Sequence, residues 1–335
     1  MERVVQLGKL LLQLLDRREG TVEPANTTVV EAEELGAVRR SSHCLFLRRR
    51  EYDRADQRGK QPLEQRRARV IAHWDEVAGE RDLGQAAGAL NVGLRRLELT
   101  PGETVEQGDP GAEEVLFVLA GSGSSQDRGT ASPVRAGDCI VRHVQHTGHS
   151  LRAGDNGLTV LRFVGPLARR PNLGDELPLP SIANLESVAV DYEGDAGKWI
   201  VLARQAGAVR TGLNWGRLEA GHAGAPPHSH SADEELFVIL EGSGTVELWP
   251  SPEAAQRMER ETHEIRAGHV ISRPPSTGIS HFLRAGEEAM TFLAYGTREP
   301  NDVCYYPRSN KIYWRGLGLI ARLEPLDYDD GEPED

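Results

Sequence analysis

The chain repeats itself, and this repeat constrains the fold more than any other feature of its 335 residues. Three segments occur twice in the same order: EEVLFVLAGSG at 113–123 and EELFVILEGSG at 234–244, VRAGDCIVRH at 134–143 and IRAGHVISRP at 265–274, HSLRAGDNGLTVLRF at 149–163 and HFLRAGEEAMTFLAY at 281–295. The offset between the copies grows from 121 to 132 residues, which indicates an insertion in the second copy. Short apolar runs bounded by glycines are typical of strands, so the sequence predicts two tandem copies of one β domain.

The second copy contains three histidines and a glutamate in a pattern that suits a metal ion. His228 and His230 are two residues apart, so on a strand both point to the same face. Glu235 follows on an apolar segment, and His281 lies on a later one. Three imidazoles and one carboxylate suit first-row divalent metals and leave coordination positions open. The alternative is a set of surface histidines on a loop, which the strand context of the motif makes less favourable.

Two stretches around these residues resemble the motifs of the cupin family. GAPPHSHSADEELFVILEG (224–242) is similar to the first motif, and GHVISRPPSTGISH (268–281) is similar to the second, with a proline-to-glycine gap two residues longer than usual. The resemblance covers about residues 70–320. It implies two antiparallel jelly-roll barrels, with one divalent transition metal held by His228, His230, Glu235 and His281. It favours iron, with manganese, nickel, zinc or copper as alternatives.

The last part of the chain resembles the ending of an uncharacterised bacterial two-cupin family. The segment from Tyr295 to Glu332 contains a Tyr-Pro-Arg-Ser run and closes on Asp-Gly-Glu, as that family does. The resemblance supports a bicupin fold and fixes no reaction.

The first copy lacks two of the histidines. Gln107 and Asp109 stand at the positions of His228 and His230, while Glu114 and His149 match the remaining two ligands. This oxygen-rich set is weaker for metals that prefer imidazole. We therefore expect a degenerate barrel kept for packing and dimerisation, with a weak or different metal site as the alternative.

The alternation of side chains along strands predicts further residues that line the second barrel. With Glu235 inside, Phe237 also faces inward. The upstream residues Trp215 and Arg217 share one parity, and Trp249 and Tyr295 are further candidates. Core packing is the alternative role for each aromatic residue. A buried arginine needs a partner, so we expect Arg217 to bind either a substrate carboxylate or a structural ion-pair partner.

The resulting organisation is all-β with a helical N-terminal extension. We expect an extension at 1–62 with a helix over 4–15, a degenerate barrel at 63–188, a metal-binding barrel at 189–328 and an acidic tail at 329–335. The segment 69–77 is interpreted as a strand that enters the first barrel. The segment 198–205 is interpreted as a strand that opens the second.

Net charge, apolar content and cysteine spacing limit the kinds of partner and compartment that suit this chain. The net charge of −12 argues against nucleic acid and anionic membranes. No run approaches the roughly 20 apolar residues of a membrane span. The three cysteines show no paired spacing, which favours a reducing cytoplasm. We expect a cytoplasmic homodimer that binds a small molecule.

Function divides into two classes. The leading hypothesis is a metal-dependent oxygenase that acts on a small organic substrate. The same donor set supports decarboxylation or isomerisation, in which the metal polarises a carbonyl or carboxylate. The alternative class is a non-catalytic protein that binds a sugar or organic acid, because fold alone does not fix function.

Overall fold

The computed structural model describes most of the chain beyond residue 70. The described residues are 71–77, 82–106, 112–127, 129–143, 148–166, 182–252, 254–256, 258–326 and 330–331. The helix predicted at 4–15, the extension 1–62, Gln107, Asp109 and most of the acidic tail lie outside these ranges.

An antiparallel sheet that curls into a barrel makes up the first half of the described chain. The described chain begins with a short strand β1 (Ile71–His73), which belongs to a different sheet. The strands of this barrel are β2 (Gly93–Leu99), β3 (Thr104–Glu106), β4 (Ala112–Asp127), β5 (Thr130–Arg135), β6 (Asp138–Arg142) and β7 (Ser150–Pro166). The two longest strands, β4 and β7, pair with each other from one end of the barrel to the other. Strands β2 and β6 flank this central pair, and β3 and β5 close its far end.

The second half repeats this architecture with shorter strands in separate sheets. Its strands, after β8 (Ile182–Asn184), are β9 (Tyr192–Gly194), β10 (Gly197–Ile200), β11 (Thr211–Leu218), β12 (Ser229–His230), β13 (Glu235–Glu241), β14 (Ser243–Pro250), β15 (Glu261–Arg266), β16 (His269–Arg273), β17 (Ile279–Ala285), β18 (Met290–Thr297), β19 (Val303–Tyr306), β20 (Lys311–Trp314) and β21 (Leu319–Arg322). These strands form three sheets. The first has the order β1-β16-β13-β18-β11-β10-β9, and the second has the order β15-β14-β17. The third has the order β12-β19-β20-β21. The two-barrel, all-β prediction is confirmed.

The repeat is visible in the backbone as well as in the sequence. The register of β4 shifts between Val118 and Ala120, and that of β13 shifts between Ile239 and Glu241. A glycine follows each bulge, Gly121 with φ of 83° and Gly242 with φ of 76°. Only glycine adopts such angles freely, which explains why this glycine ends the apolar run in both copies.

A short helix precedes strand β2 in the first copy and strand β11 in the second. The helix α1 (Leu83–Ala86) begins at Asp82, whose carboxylate accepts a hydrogen bond from the Gln85 amide, and α2 is Leu202–Gln205. The segment 198–205 is therefore a strand only as far as Ile200, and the prediction of one continuous strand is wrong beyond it. Among the described residues no helix is long and apolar enough to cross a membrane.

The two copies exchange their leading strands. Strand β1 pairs with β16 of the second barrel, with Ile71 opposite Ile271. Strand β8 precedes the second barrel but pairs with β6 of the first, with Ala183 opposite Cys139. The interpretation of 69–77 as a strand entering the first barrel is thus corrected, because its sheet partner lies in the other copy.

The apolar runs are buried on both faces because the barrels pack against each other. In β13, Phe237 and Ile239 point into the second barrel, whereas Leu236 and Val238 belong to a cluster shared with the first. The matching strand β4 divides in the same way. A strand buried on both sides shows a continuous apolar run instead of alternation, as both copies do.

A pair of glutamates joins the barrels with near two-fold symmetry. Glu113 is buried in the first barrel and accepts hydrogen bonds from the amides of residues 209–211, just after α2. Glu234 holds the matching position and accepts from the amides of Leu90 and Asn91, just after α1. In each Glu-Glu dipeptide the first carboxylate therefore accepts hydrogen bonds from the backbone of the other copy, and the second carboxylate points into its own barrel.

Candidate metal site

Two neighbouring strand segments bring the histidines of the second barrel together. His228 forms an isolated antiparallel bridge with His281, through two backbone hydrogen bonds of 3.3 and 2.9 Å. Their ring centroids lie 4.4 Å apart, and the ring of His230 lies 5.2 Å from that of His228. The H-x-H spacing places both imidazoles on one face of the chain, as the sequence predicts.

Glu235 completes this cluster from the first position of β13. Its Oε2 lies 3.1 Å from Nε2 of His281 and 3.4 Å from Nε2 of His230. These three buried atoms have no hydrogen-bond partner among the described residues. One ligand atom from each of His228, Glu235 and His281 lies within 4.8 Å of the others. Unpartnered donor atoms that converge in this way fit a divalent metal ion.

Hydrogen bonds on the far side of two rings aim their Nε2 atoms at the site. Nδ1 of His230 lies 2.7 Å from Oδ2 of Asp302, and Nδ1 of His228 lies 2.8 Å from the carbonyl oxygen of Pro226. Asp302 is itself buried and accepts hydrogen bonds from the amides of Ala232 and Asp233. Such partners fix the tautomer of a ligand histidine and raise its basicity.

Asp302 was not predicted from the sequence. It lies about 70 residues after the histidine it supports, since the hydrogen bond spans a sequence separation of 72. No short-range pattern links the two, because they meet only where β12 pairs with β19.

We expect Asp302→Asn to weaken metal binding by about 10- to 100-fold without unfolding the barrel. The amide cannot hold the His230 ring as strongly as the carboxylate does, so the ligand becomes less basic and less well oriented. Competition with a coloured chelator measures the affinity. Asp138→Asn is the matched control, since Asp138 is equally buried in the first barrel and bonds to Asn184. An unchanged affinity in Asp302→Asn would show that Asp302 has only a structural role.

Burial and the neighbouring charges set the protonation of the metal-free site. Burial lowers the pKa of His228 to about 3 and also lowers the pKa of His281. Burial opposes ionisation of Glu235 as well, but the neighbouring His230 and His281 hold its pKa well below the usual value. Only His230 has a raised pKa, because Glu235 and Asp302 outweigh its burial. Neutral imidazoles and an ionised carboxylate are the forms that bind a metal.

Four further side chains surround the cluster. The Phe237 ring lies 5.1 Å from that of His281, and the Tyr306 ring stacks on His228 at 5.8 Å. The Cys304 thiol lies within 4.8 Å of ligand atoms of His228 and His230. Of these three, only Phe237 was predicted from the sequence.

The fourth is Arg273, a buried cation beside the cluster. It lies directly opposite Glu235 in the pairing of β13 with β16. One of its nitrogens donates to the carbonyl of Ile279 at 2.6 Å, while its Nε has no acceptor among the described residues. Burial lowers the pKa of Arg273 to about 10, which leaves the guanidinium charged at neutral pH.

Two predicted pocket aromatics lie on the other face of the sheet. Tyr295 stacks on Phe163 of the first barrel, with ring centroids 4.8 Å apart. Trp215 packs against the same cluster between the barrels. Both assignments to the pocket are corrected to core packing, which was the alternative for each aromatic.

Arg217 and Trp249 lie on outer faces of their strands. Nε of Arg217 donates to Glu219 at 2.9 Å, and both side chains are more than one third exposed. Nε1 of Trp249 donates to Glu247 at 3.0 Å, and the Arg260 guanidinium lies 3.8 Å from its ring centroid. The ion pair, rather than a substrate, is thus the partner of Arg217, and neither residue lines the pocket.

The first barrel differs at the equivalent place. Of its four predicted residues the structure describes two, Glu114 and His149. Glu114 is buried in an ion pair with Arg162, and Nδ1 of His149 lies 3.3 Å from Asp127. Within the described part of this barrel no three side chains form a metal-binding group.

The fold and the donor set together define a class of protein. Residues 193–313 match the cupin family model. Two solved structures share the two-barrel arrangement. The oxalate decarboxylase of Lactobacillus farciminis, in a formate complex, has a TM-score of 0.54 at 16% identity, over 69% of this chain and 86% of that one. The oxalate decarboxylase of Bacillus subtilis, which has Mn(II) centers, has a TM-score of 0.53 at 15% identity, over 70% and 78%.

Residues 193–313 in the second barrel therefore form a cupin domain, and the whole chain shares the two-barrel fold of these two solved structures. At this level of identity the solved structures establish the fold alone. A comparison with curated protein sequences gives no match.

Proposed function

We propose that this protein is a metal-dependent enzyme that removes carbon dioxide from a small carboxylic acid in its second barrel. The observation that carries the proposal is the position of Arg273 beside the three-histidine, one-glutamate cluster, in register with Glu235. A metal ion and a guanidinium side by side favour a substrate that carries a carboxylate. The oxalate decarboxylases that share the fold support this class of reaction.

The donor set is compatible with several divalent metals. A bound Mn(II) or Fe(II) ion would be held by His228, His230, Glu235 and His281 and would polarise the substrate carboxylate as a Lewis acid. The sequence favours iron, whereas the Mn(II) centers of the Bacillus subtilis enzyme support manganese. We therefore propose either ion, and the activity of each loaded form distinguishes them.

Decarboxylation also needs a positive charge near the substrate, an apolar wall and a proton donor, and side chains around the cluster supply all three. Arg273 balances the charge of a bound carboxylate, and Phe237 contributes an apolar wall. Loss of carbon dioxide leaves an electron pair on the neighbouring carbon, which must receive a proton. Burial raises the pKa of Cys304 to about 11 and raises that of Tyr306 further, so both hold their protons at neutral pH. Either side chain can therefore donate that proton.

The oxygenase favoured by the sequence uses the same ligands, and so does an isomerase. We place decarboxylation first because the buried guanidinium favours an acid and because the two structures above are decarboxylases. A non-catalytic protein that binds an organic acid would share the charge pattern but would not turn its ligand over.

A library of hydroxy, oxo and dicarboxylic acids separates these functions. The full-length protein is loaded with Mn(II) or Fe(II), and carbon dioxide release and oxygen consumption are recorded together. We expect carbon dioxide release from at least one acid without matching oxygen consumption. The His281→Ala variant, loaded in the same way, is expected to release none.

Each other outcome assigns a different function. Oxygen consumed in proportion to the substrate would replace the decarboxylase with the oxygenase. Isomerised product without either gas change would indicate an isomerase. Tight acid binding without turnover under any metal would indicate a binding protein.

A further inference from the structure

The interior of the first barrel contains an arginine pair where the second barrel contains its ligand cluster. Glu114 lies opposite Arg142 in the pairing of β4 with β6, just as Glu235 lies opposite Arg273. A second guanidinium, that of Arg162, comes from β7 and pairs with the Glu114 carboxylate. The repeat aligns Arg162 with Ala294, so the first barrel has a cation where the second has a methyl group.

This substitution changes what the first barrel can hold. The Arg162 guanidinium pairs with Oε1 of Glu114, whereas Glu235 in the second barrel has no arginine at the matching position. A divalent cation placed beside Glu114 would also meet two guanidiniums. The two guanidiniums beside Glu114 therefore oppose a metal at that carboxylate and favour an anion next to Arg142.

Arg142 supplies the donors for that anion. Its side chain is only 1% exposed, and its Nε and Nη2 have no hydrogen-bond acceptor among the described residues. The Glu114 carboxylate pairs with Arg162, so Arg142 has no direct ion-pair partner among the described residues. The other acidic neighbours of Arg142 are Glu106 and Asp127, and Asp127 lies against His149 at 3.3 Å.

Such an arrangement is costly without a ligand. A buried charge that has no partner is strongly unfavourable, and burial lowers the pKa of Arg142 to about 10 without neutralising it at pH 7. Two parallel N–H groups of a guanidinium match the two oxygens of a carboxylate.

We propose that the first barrel is a binding site for a small carboxylate anion, held by Arg142 beside the Arg162–Glu114 pair. This site is separate from the metal cluster and does not depend on the reaction proposed for it. The first copy has thus exchanged a metal site for an anion site at the same place in the fold.

Unfolding in the presence of acetate tests the proposal with full-length proteins. An anion that binds the folded state raises the unfolding midpoint in proportion to its affinity, with chloride of equal ionic strength as the reference. We expect millimolar acetate to raise the midpoint of the wild type and of the matched control Arg273→Met, which lacks the arginine of the second barrel. The shift should shrink in Arg142→Met and be absent in the double variant Arg142→Met/Arg273→Met, because the proposed function assigns Arg273 a carboxylate in the second barrel.

Two further measurements test the role of the guanidinium geometry and the preference for a carboxylate. Arg142→Lys keeps the charge but loses the forked geometry, so its affinity for acetate should fall about tenfold or more. Inorganic phosphate at the same concentration should stabilise the wild type less than acetate does. A full acetate effect in Arg142→Met, or no effect in the wild type, would overturn the site. A larger effect of phosphate would overturn its assignment to carboxylates.

Discussion

Replacing His281 by alanine should remove the metal from this protein. We expect the purified wild type to contain about one equivalent of divalent metal per chain and the variant less than about 0.1 after dialysis. His281 lies at the centre of the cluster, because its backbone bridges His228 and its Nε2 faces Glu235 at 3.1 Å. The substitution removes one ligand and the atom against which the carboxylate is placed. Elemental analysis by mass spectrometry measures the content.

The control for this experiment is another histidine of the same barrel. His263 lies on β15, is more than one third exposed and contacts Glu261 at 3.1 Å, so His263→Ala should retain the full equivalent. Asp109→Ala should also leave the content unchanged, because the first barrel is expected to hold no metal. If the wild type contained two equivalents, the first barrel would be a metal site and the anion site proposed there would be wrong. If His281→Ala kept its metal, the ligand assignment would fail.

Local spacing predicted part of the cluster, and the resemblance to the cupin motifs added His281 as the fourth ligand. A period of two on a strand brings His228 and His230 to one face, and it places Phe237 on the same side as Glu235. The internal repeat then gave the architecture, since two copies of one glycine-bounded strand pattern require two similar units. These steps depend only on neighbours in the chain, and the fold agrees with them.

The same parity argument failed where no inward residue anchored it. Trp215 and Arg217 alternate correctly, but parity does not say which face is the interior. The structure shows that Leu218 and Phe292 of the opposite parity fill the barrel, while Leu213 and Tyr295 face the other copy. Both faces are apolar because the barrels pack together, so composition could not distinguish them.

Contacts between segments that are distant in the chain could not be predicted from the sequence either. Strand β1 pairs with a strand almost 200 residues further along the chain, at Ile271. Asp302 and Cys304 reach the cluster through a separate sheet, where Cys304 pairs with His230. The first glutamate of each Glu-Glu dipeptide holds the opposite copy, a role that appears only once the two barrels are placed together.

Replacing Glu113 by alanine should cause a large loss of stability. The Glu113 side chain is 1% exposed and accepts hydrogen bonds from the amides of Val209, Arg210 and Thr211 and from the Thr211 hydroxyl, the last at 2.7 Å. Nδ1 of His143 lies 3.1 Å away. Alanine leaves these buried donors without their acceptor, which costs roughly 3–5 kcal/mol of unfolding free energy.

The pH dependence of that loss identifies the carboxylate as its source. Burial opposes ionisation of Glu113, yet its hydrogen bonds to His143, Thr211 and Val209 hold its pKa below the usual value. A carboxyl group with a lowered pKa stabilises the folded state above its unfolded pKa, and this contribution is lost as pH falls through the folded value. The difference between wild type and Glu113→Ala should therefore be full at pH 7 and shrink in acid.

Urea unfolding at several pH values measures this difference, with Glu193→Ala as the control. Glu193 is exposed and only 3.8 Å from Lys198, so its removal should change the stability by less than about 0.5 kcal/mol. Glu113→Gln keeps the shape and one acceptor oxygen but loses the charge, and it should fall between the two. Because Glu113 joins the copies, we also expect the single transition of the wild type to separate into two in Glu113→Ala. A variant that unfolds in one transition with unchanged stability would show that the barrels are held together by their apolar interface alone.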